Sequence, residues 1–185
     1  MNKKGEPWYI HAALYFIIAI LTYALIRVAI IDPSNYIEHE NYYSNESHLR
    51  MENIRQAEIL WEKKNEKFTD NLKELINFVK TDSTVASLIV GVDTLTNRST
   101  NPFKNLSNGK LDFDSIMYSP VSHTPYILKI DTTVSIDTVV NPRGDIIKID
   151  TVTNIGSIYF LKCPDGYGTI GDTAVMALKN TASWD

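Results

Sequence analysis

Several groups of side chains in this sequence have the types and spacing to do chemistry. Asp112 and Asp114 lie two residues apart, and Asp131 and Asp137 fall on one face of an alternating run. In a strand each pair would point the same way, so meeting carboxylates could hold a cation or carry acid–base work. The four histidines, His11, His39, His48 and His123, are scattered. None has the H-E-x-x-H spacing that sets two imidazoles on one helical face for zinc. Ser115 and Ser122 lie near His123, but no G-x-S-x-G elbow exposes a nucleophile. Gly91, Gly109, Gly144, Gly166 and Gly168 are isolated punctuation, not a phosphate-binding loop. Cys163 is the single cysteine and half of no CxxC pair, so it reads as a small buried apolar residue. No spacing assembles a catalytic set, and the expectation is a noncatalytic protein without a cofactor or metal.

The element that must position everything else is at the N-terminus. Residues 9–31 read YIHAALYFIIAILTYALIRVAII, apolar on every side of a helix and long enough to cross roughly 30 Å of hydrocarbon. Trp8 and Tyr9 stand where amphipathic aromatics favour the headgroup zone, and Arg27 can extend its charge to the far interface. A cleaved signal sequence, a buried helix and a reversed orientation are the alternatives. Lys3 and Lys4 precede the segment, while Asp32, Glu38 and Glu40 follow it. The positive-inside rule therefore places residues 1–8 in the cytoplasm and the rest of the chain across an inner membrane. Residues 32–185 carry 15 basic and 21 acidic residues, a balance that gives no support for nucleic-acid binding.

Beyond the membrane segment, Asp32-Pro33 should end or kink the helix, and residues 32–47 read as a polar, tyrosine-containing connector. Residues 48–185 then form one α+β domain. Met51, Ile54, Ala57 and Trp61 recur at helical spacing over 48–65, with Glu58 on the wet side. Thr69 or Asp70 can cap a second helix whose stripe is Leu72, Leu75, Ile76 and Val79. The two make an αα-hairpin with Phe68 at the corner. Residues 85–92 are a strand candidate, with a short helix as the alternative, and 93–110 read as a loop. A small, mostly antiparallel β-rich region follows. Leu128, Ile130, Thr132, Val134, Ile136, Thr138 and Val140 alternate as one half-buried face. Residues 141–144 turn, 146–154 form a second strand and 157–163 a third. Thr173 to Asp185 reads as a short helix or tail, with Trp184 free to lock it down, meet a partner or touch the membrane.

Residues 50–80 carry a resemblance. The run Arg50-Met51-Glu52-Asn53-Ile54-Arg55-Gln56-Ala57, followed by Phe68-Thr69-Asp70-Asn71-Leu72-Lys73-Glu74-Leu75, resembles uncharacterised membrane-anchored proteins of Bacteroidota. More distantly, the order Lys3-Lys4-Gly5, apolar helix and small domain is similar to pseudopilins of bacterial secretion systems. The prepilin signal is not present: Gly5 is followed by Glu6-Pro7-Trp8, and Ile10 stands at the position of the family's glutamate. The resemblance implies an anchored periplasmic α+β domain. The expectation is an accessory component of an envelope assembly, with the bilayer and envelope proteins as partners and Glu58 and Trp184 as contact residues. The alternative is a sensor or binding module for a cation, glycan or peptide. Oligomeric state is not specified by any of these features.

Overall fold

The computed structural model describes residues 8–185, apart from the side chains of 133, 135–137, 150, 152 and 154. Residues 1–7, expected on the cytoplasmic side, lie outside the described residues. The chain divides into two compact units, Met1–Tyr43 and Ser44–Asp185.

In the first unit, α1 spans Trp8–Ile26 and is exposed along its whole length. It is the one helix among the described residues long and apolar enough to cross a membrane. A π-helical turn follows at Arg27–Ile31, and α2 begins at Asp32 and runs to Asn65. The expected break at Asp32-Pro33 and the connector over 32–47 are thus corrected: the segment is helical. Pro33 falls in the first turn of α2, and the turn before it is widened, with the Asp32 N–H reaching back to the Arg27 carbonyl. That wider turn accommodates a residue with no N–H and a bulky ring. Ser34 Oγ donates to the Ile30 carbonyl at 2.6 Å, satisfying an acceptor beside the missing bond.

In the second unit, α2 buries Met51, Ile54, Ala57 and Glu58 on one stripe, with Glu46, Ser47 and Asn53 also inside. Phe68 turns the corner into α3, Leu72–Thr81, which buries Leu72, Leu75, Ile76, Phe78 and Val79. Its cap is Asn71, whose side chain accepts from Glu74 N at 3.3 Å, rather than Thr69 or Asp70. Thr69 Oγ1 instead accepts from Asn71 N, holding the capping residue extended. Residues Ser83–Val90 form a helix, α4, not a strand. Asp82 decides this by accepting from both Thr84 N and Val85 N, which satisfies orphan donors at the first turn. A short turn of helix, α5, covers Phe113–Ile116.

The sheet has three antiparallel strands in the order β1-β2-β3, with β1 at Ile127–Val140, β2 at Ile146–Lys162 and β3 at Thr169–Gly171. The two separate strands expected over 146–163 are one. A bulge links them: Ile130 pairs with Tyr159 but Thr132 with Ile155, leaving Asp131 against Gly156, Ser157 and Ile158. Asp131 is buried there and accepts from Ile158 N at 2.9 Å, supplying the acceptor that the interrupted ladder lacks. Gly156, at φ +72°, offers its carbonyl to Phe68 N at 2.8 Å. The bulge is therefore the joint that fastens the sheet to the helical corner. The core lies on the near side of this joint, where Leu128, Tyr159, Leu161 and Ile170 pack with Met51, Ile54, Phe68 and Leu75.

Beyond the joint the β1–β2 pair continues as a two-stranded ribbon from Thr132 to Ile155. The expected half-buried face is overturned over this stretch. Val134 is 62% exposed, Val140 55%, Ile146 61%, Ile149 60% and Ile155 54%. The helices cover only the base of the sheet. The alternation that reads as burial is present, but nothing in the described chain lies over it.

Candidate functional site

Of Glu58 and Trp184, the two residues expected at a contact surface, Glu58 is buried in the domain and Trp184 is half-buried against its core. Glu58 is 0% exposed. Ile54, Glu58 and Trp61 are successive steps of one helical stripe, so Glu58 faces the core. Its Oε2 accepts from Thr69 N at 3.3 Å at the corner of the helix pair. Its Oε1 is buried without a hydrogen-bond partner, as are Tyr159 OH, Trp61 Nε1 and Asn180 Oδ1. Burial pushes the Glu58 carboxyl up to about 8, the Thr69 N–H opposing it and the Asp70 and Glu62 carboxylates adding to it. Burial also raises the Tyr159 phenol, and the neighbouring Glu58 adds to that rise. At neutral pH Glu58 is mostly a neutral acid inside the core, and it cannot meet a partner.

Trp184 stacks on His48, with centroids 4.0 Å apart and planes 10° from parallel. His48 Nε2 meets the Tyr167 carbonyl at 2.7 Å, a contact that makes this nitrogen the donor. The tail reaches this position along the sheet: Ser183 N donates to the Thr169 carbonyl at 2.9 Å, and Ala182 bridges Ile170. Gly168, at φ +130°, lies so close to the indole that a Cβ would come within 2.6 Å of Trp184 Cε3. Trp184 thus locks the tail down, and it is left half-buried beside an open cleft lined by Glu52 and Lys104.

The acids expected to pair are separated and occupied. Asp112 caps α5, accepting from Asp114 N at 3.1 Å and from the Ser115 hydroxyl at 2.5 Å; the Ser115 hydroxyl first, then the Asp114 amide, lower its carboxyl below the usual range. Asp114 pairs with Lys80 at 2.5 Å. Asp131 serves the bulge, and the side chain of Asp137 lies outside the described residues. Among the described residues no group of three or more His, Cys, Asp and Glu could hold a metal ion. Cys163 is buried and accepts from Ser47 Oγ at 3.2 Å; Ser47 Oγ also lies 3.0 Å from Tyr126 OH.

The motif over residues 50–57 is a set of staples. Arg50 Nη1 donates to the Ser115 and Tyr118 carbonyls at 3.0 and 2.7 Å, while its Nε and Nη2 hold Glu46 Oε1 at 2.9 and 2.8 Å. Glu46 Oε2 accepts from Ser107 N at 2.8 Å, and these bonds keep its carboxyl low against the burial that raises it. Asn53 closes a two-bond clamp on Lys104, donating to its carbonyl at 2.9 Å and accepting from its N–H at 2.8 Å. Arg55 donates to the Asn180 carbonyl at 3.0 Å. Each polar side chain ties one long loop to α2. Replacing Asn53 with alanine should cost about 1–2 kcal/mol, because the Lys104 backbone groups lose their partners. The Lys104 amide should then exchange with solvent deuterium at least tenfold faster, which hydrogen-exchange mass spectrometry reads directly.

Two of the open clefts in the second unit combine charged side chains with aromatic or apolar ones. One, of about 440 Å³, is lined by Arg50, Asp114, Ser115, Tyr118 and His123. Its Arg50, Asp114 and Ser115 are engaged in the bonds just given. The other, of about 450 Å³, has an apolar floor including Leu60, Phe78, Val85 and Leu88 under the rim residues Lys63 and Lys64. Lys64 is paired with the capping Asp82, a contact that, with Thr84, holds the Asp82 carboxyl well below the usual range. In the first cleft Asp114 and Ser115 share a lining with His123, but Ser115 donates to Asp112 and Asp114 pairs with Lys80. The most unusual exposed feature is the ribbon beyond the Asp131 bulge, with β-branched residues open to solvent and unpaired strand edges. No family model, curated protein or solved structure matches the chain.

Proposed function

We propose that the protein is a noncatalytic, membrane-anchored component or accessory factor of a bacterial envelope assembly. In this reading α1 spans the inner membrane once, residues 1–7 face the cytoplasm, and the second unit works in the periplasm. Its role is to present a protein-binding surface. The observation that carries the reading is the ribbon of residues 132–155. A two-stranded ribbon is marginal in water without a third strand or a cover. Apolar exposure on this scale on a folded domain marks an interaction surface. The engagement of Asp112, Asp114 and Asp131 in capping, pairing and the bulge weighs against the alternative of a cation-binding module. The uninterrupted helical course through Pro33 removes one difference from the pseudopilin pattern, while Glu6-Pro7 and Ile10 keep it distant.

The test is a photo-crosslinking residue at Ile149 in intact cells, followed by mild detergent extraction and mass spectrometry. The reading expects reproducible links to envelope proteins, or to this chain within a larger complex, and none from the same residue placed at Lys73 on α3. Equal and nonspecific labelling from both positions would overturn it.

A further inference from the structure

The register of the ribbon sorts its residues by face. Thr132 stands opposite Ile155, Val134 opposite Thr153 and Thr138 opposite Ile149; beyond a register shift that leaves Ile147 extra, Val140 stands opposite Ile146. Directly opposed residues project to the same side of a ladder, and alternate residues along a strand do too. These eight residues, with Thr151 midway along β2, therefore make one continuous face of valine, isoleucine and threonine. It bears no charge. The base of the sheet ends at the Asp131 bulge, and β3 pairs only with Phe160, Leu161 and Lys162, so no described strand flanks residues 132–155.

We propose that this face is the contact between two copies of the chain, packed ribbon against ribbon about a two-fold axis. Area is the first argument. The five apolar residues are 54–62% exposed and the four threonines are exposed beside them, so the face is several hundred Å², the order that each partner contributes to a stable interface of standard size. The second argument is composition. A face made only of threonine, valine and isoleucine has no charge to match with a chemically distinct partner, and it is complementary to itself, as an isologous contact requires. Two such ribbons stacked about 10 Å apart form a four-stranded sandwich, which supplies the cover that one ribbon lacks. Holding copies in one membrane raises their effective concentration and favours the pairing further.

This inference rests on the ribbon being a protein-binding surface and goes beyond it by naming the occupant. The experiment uses the full chain in detergent at about 10 µM, with single cysteines at Thr151, in the middle of the face, or at Lys148, the next alternation away. Cys163 is buried and stays in place. Mild oxidation should join T151C into a disulfide dimer in high yield and K148C at least tenfold less. Light scattering should give twice the chain mass for the wild type and one chain mass for V134D/I149K, whose circular dichroism and melting of the helical core are unchanged. Equal crosslinking at both cysteines, a monomeric wild type, or a dimer that survives V134D/I149K would each overturn the proposal. A monomer whose Ile149 photo-crosslinks a different envelope protein would overturn the second copy as occupant while leaving the docking surface intact. A monomer without specific crosslinks would overturn both.

Discussion

Replacing Glu58 with glutamine should stabilise the domain at pH 7 by about 3 kcal/mol, with almost no effect at pH 4.5. The sign follows from linkage. Glu58 titrates near 4.5 when unfolded and near 8 when buried in the fold. Below the lower value both states hold the proton, and the group does not alter stability. Between the two values the folded state keeps a proton that the unfolded state has released, so stability falls by about 1.4 kcal/mol per pH unit. Above 8 the full penalty is reached and a charge sits in the core. Glutamine keeps the shape of the neutral acid and an acceptor for Thr69 N, and it has no proton to lose. Urea denaturation across pH 4.5 to 8.5 checks this: wild-type stability should decline through the window, and the decline should be much shallower in the variant. Parallel curves would mean that Glu58 does not carry the effect.

Gly156→Val should be severely damaging, costing more than about 3 kcal/mol. Glycine is required here twice over. Its φ of +72° is one that a β-branched residue strongly disfavours. A Cβ would also stand 2.9 Å from the Phe68 carbonyl oxygen and 3.3 Å from both Phe68 N and Lys67 Cβ. Two of those atoms are backbone and cannot swing aside, so the sheet would have to leave the helical corner. Phe68 and Tyr159, whose rings lie 4.7 Å apart, would lose their packing with it. A loss of this size removes a large part of the 5–15 kcal/mol that typically holds a domain together. Gly109→Ala is the control. Its φ is +78°, yet nothing lies within 4 Å of the added Cβ, so only the backbone cost of about 1 kcal/mol applies. Equal losses from the two variants would show that the joint is not where the sheet is fastened.

The α+β architecture was readable because its strongest signals are local. The stripes Met51-Ile54-Ala57 and Leu72-Leu75-Ile76-Val79 repeat at helical spacing, and they are the buried faces of α2 and α3. Where structure and sequence pattern differ, the causes are physical. The charge of Glu58 suggests the wet side, although its position three residues before Trp61 and four after Ile54 puts it in the stripe. Residues 85–90 form too short and apolar a run for periodicity to separate helix from strand; the deciding signal was the cap at Asp82. Helix through Asp32-Pro33 depends on a widened turn that no residue type announces. Alternation over residues 128–140 marks one side of a strand as apolar, but it does not say whether another element covers that side. That depends on where the helices end, which is a tertiary fact. The same limit applies to the acids: Asp112 and Asp131 look like candidate ligands in the sequence, and only the cap and the bulge show them spent on backbone donors.

The central claim is that the ribbon is uncovered in the isolated chain and covered in its working state. Hydrogen-exchange mass spectrometry tests this most directly by comparing protein in detergent, diluted far enough below about 10 µM that light scattering gives one chain mass, with the same protein in native membranes. Amides of residues 132–155 should exchange rapidly in dilute detergent, while those of 157–162 at the base stay protected. In native membranes the 132–155 amides should slow by at least tenfold, with the base unchanged. Equal exchange of the ribbon in both settings, or a ribbon already as protected as the base in dilute detergent, would contradict the account.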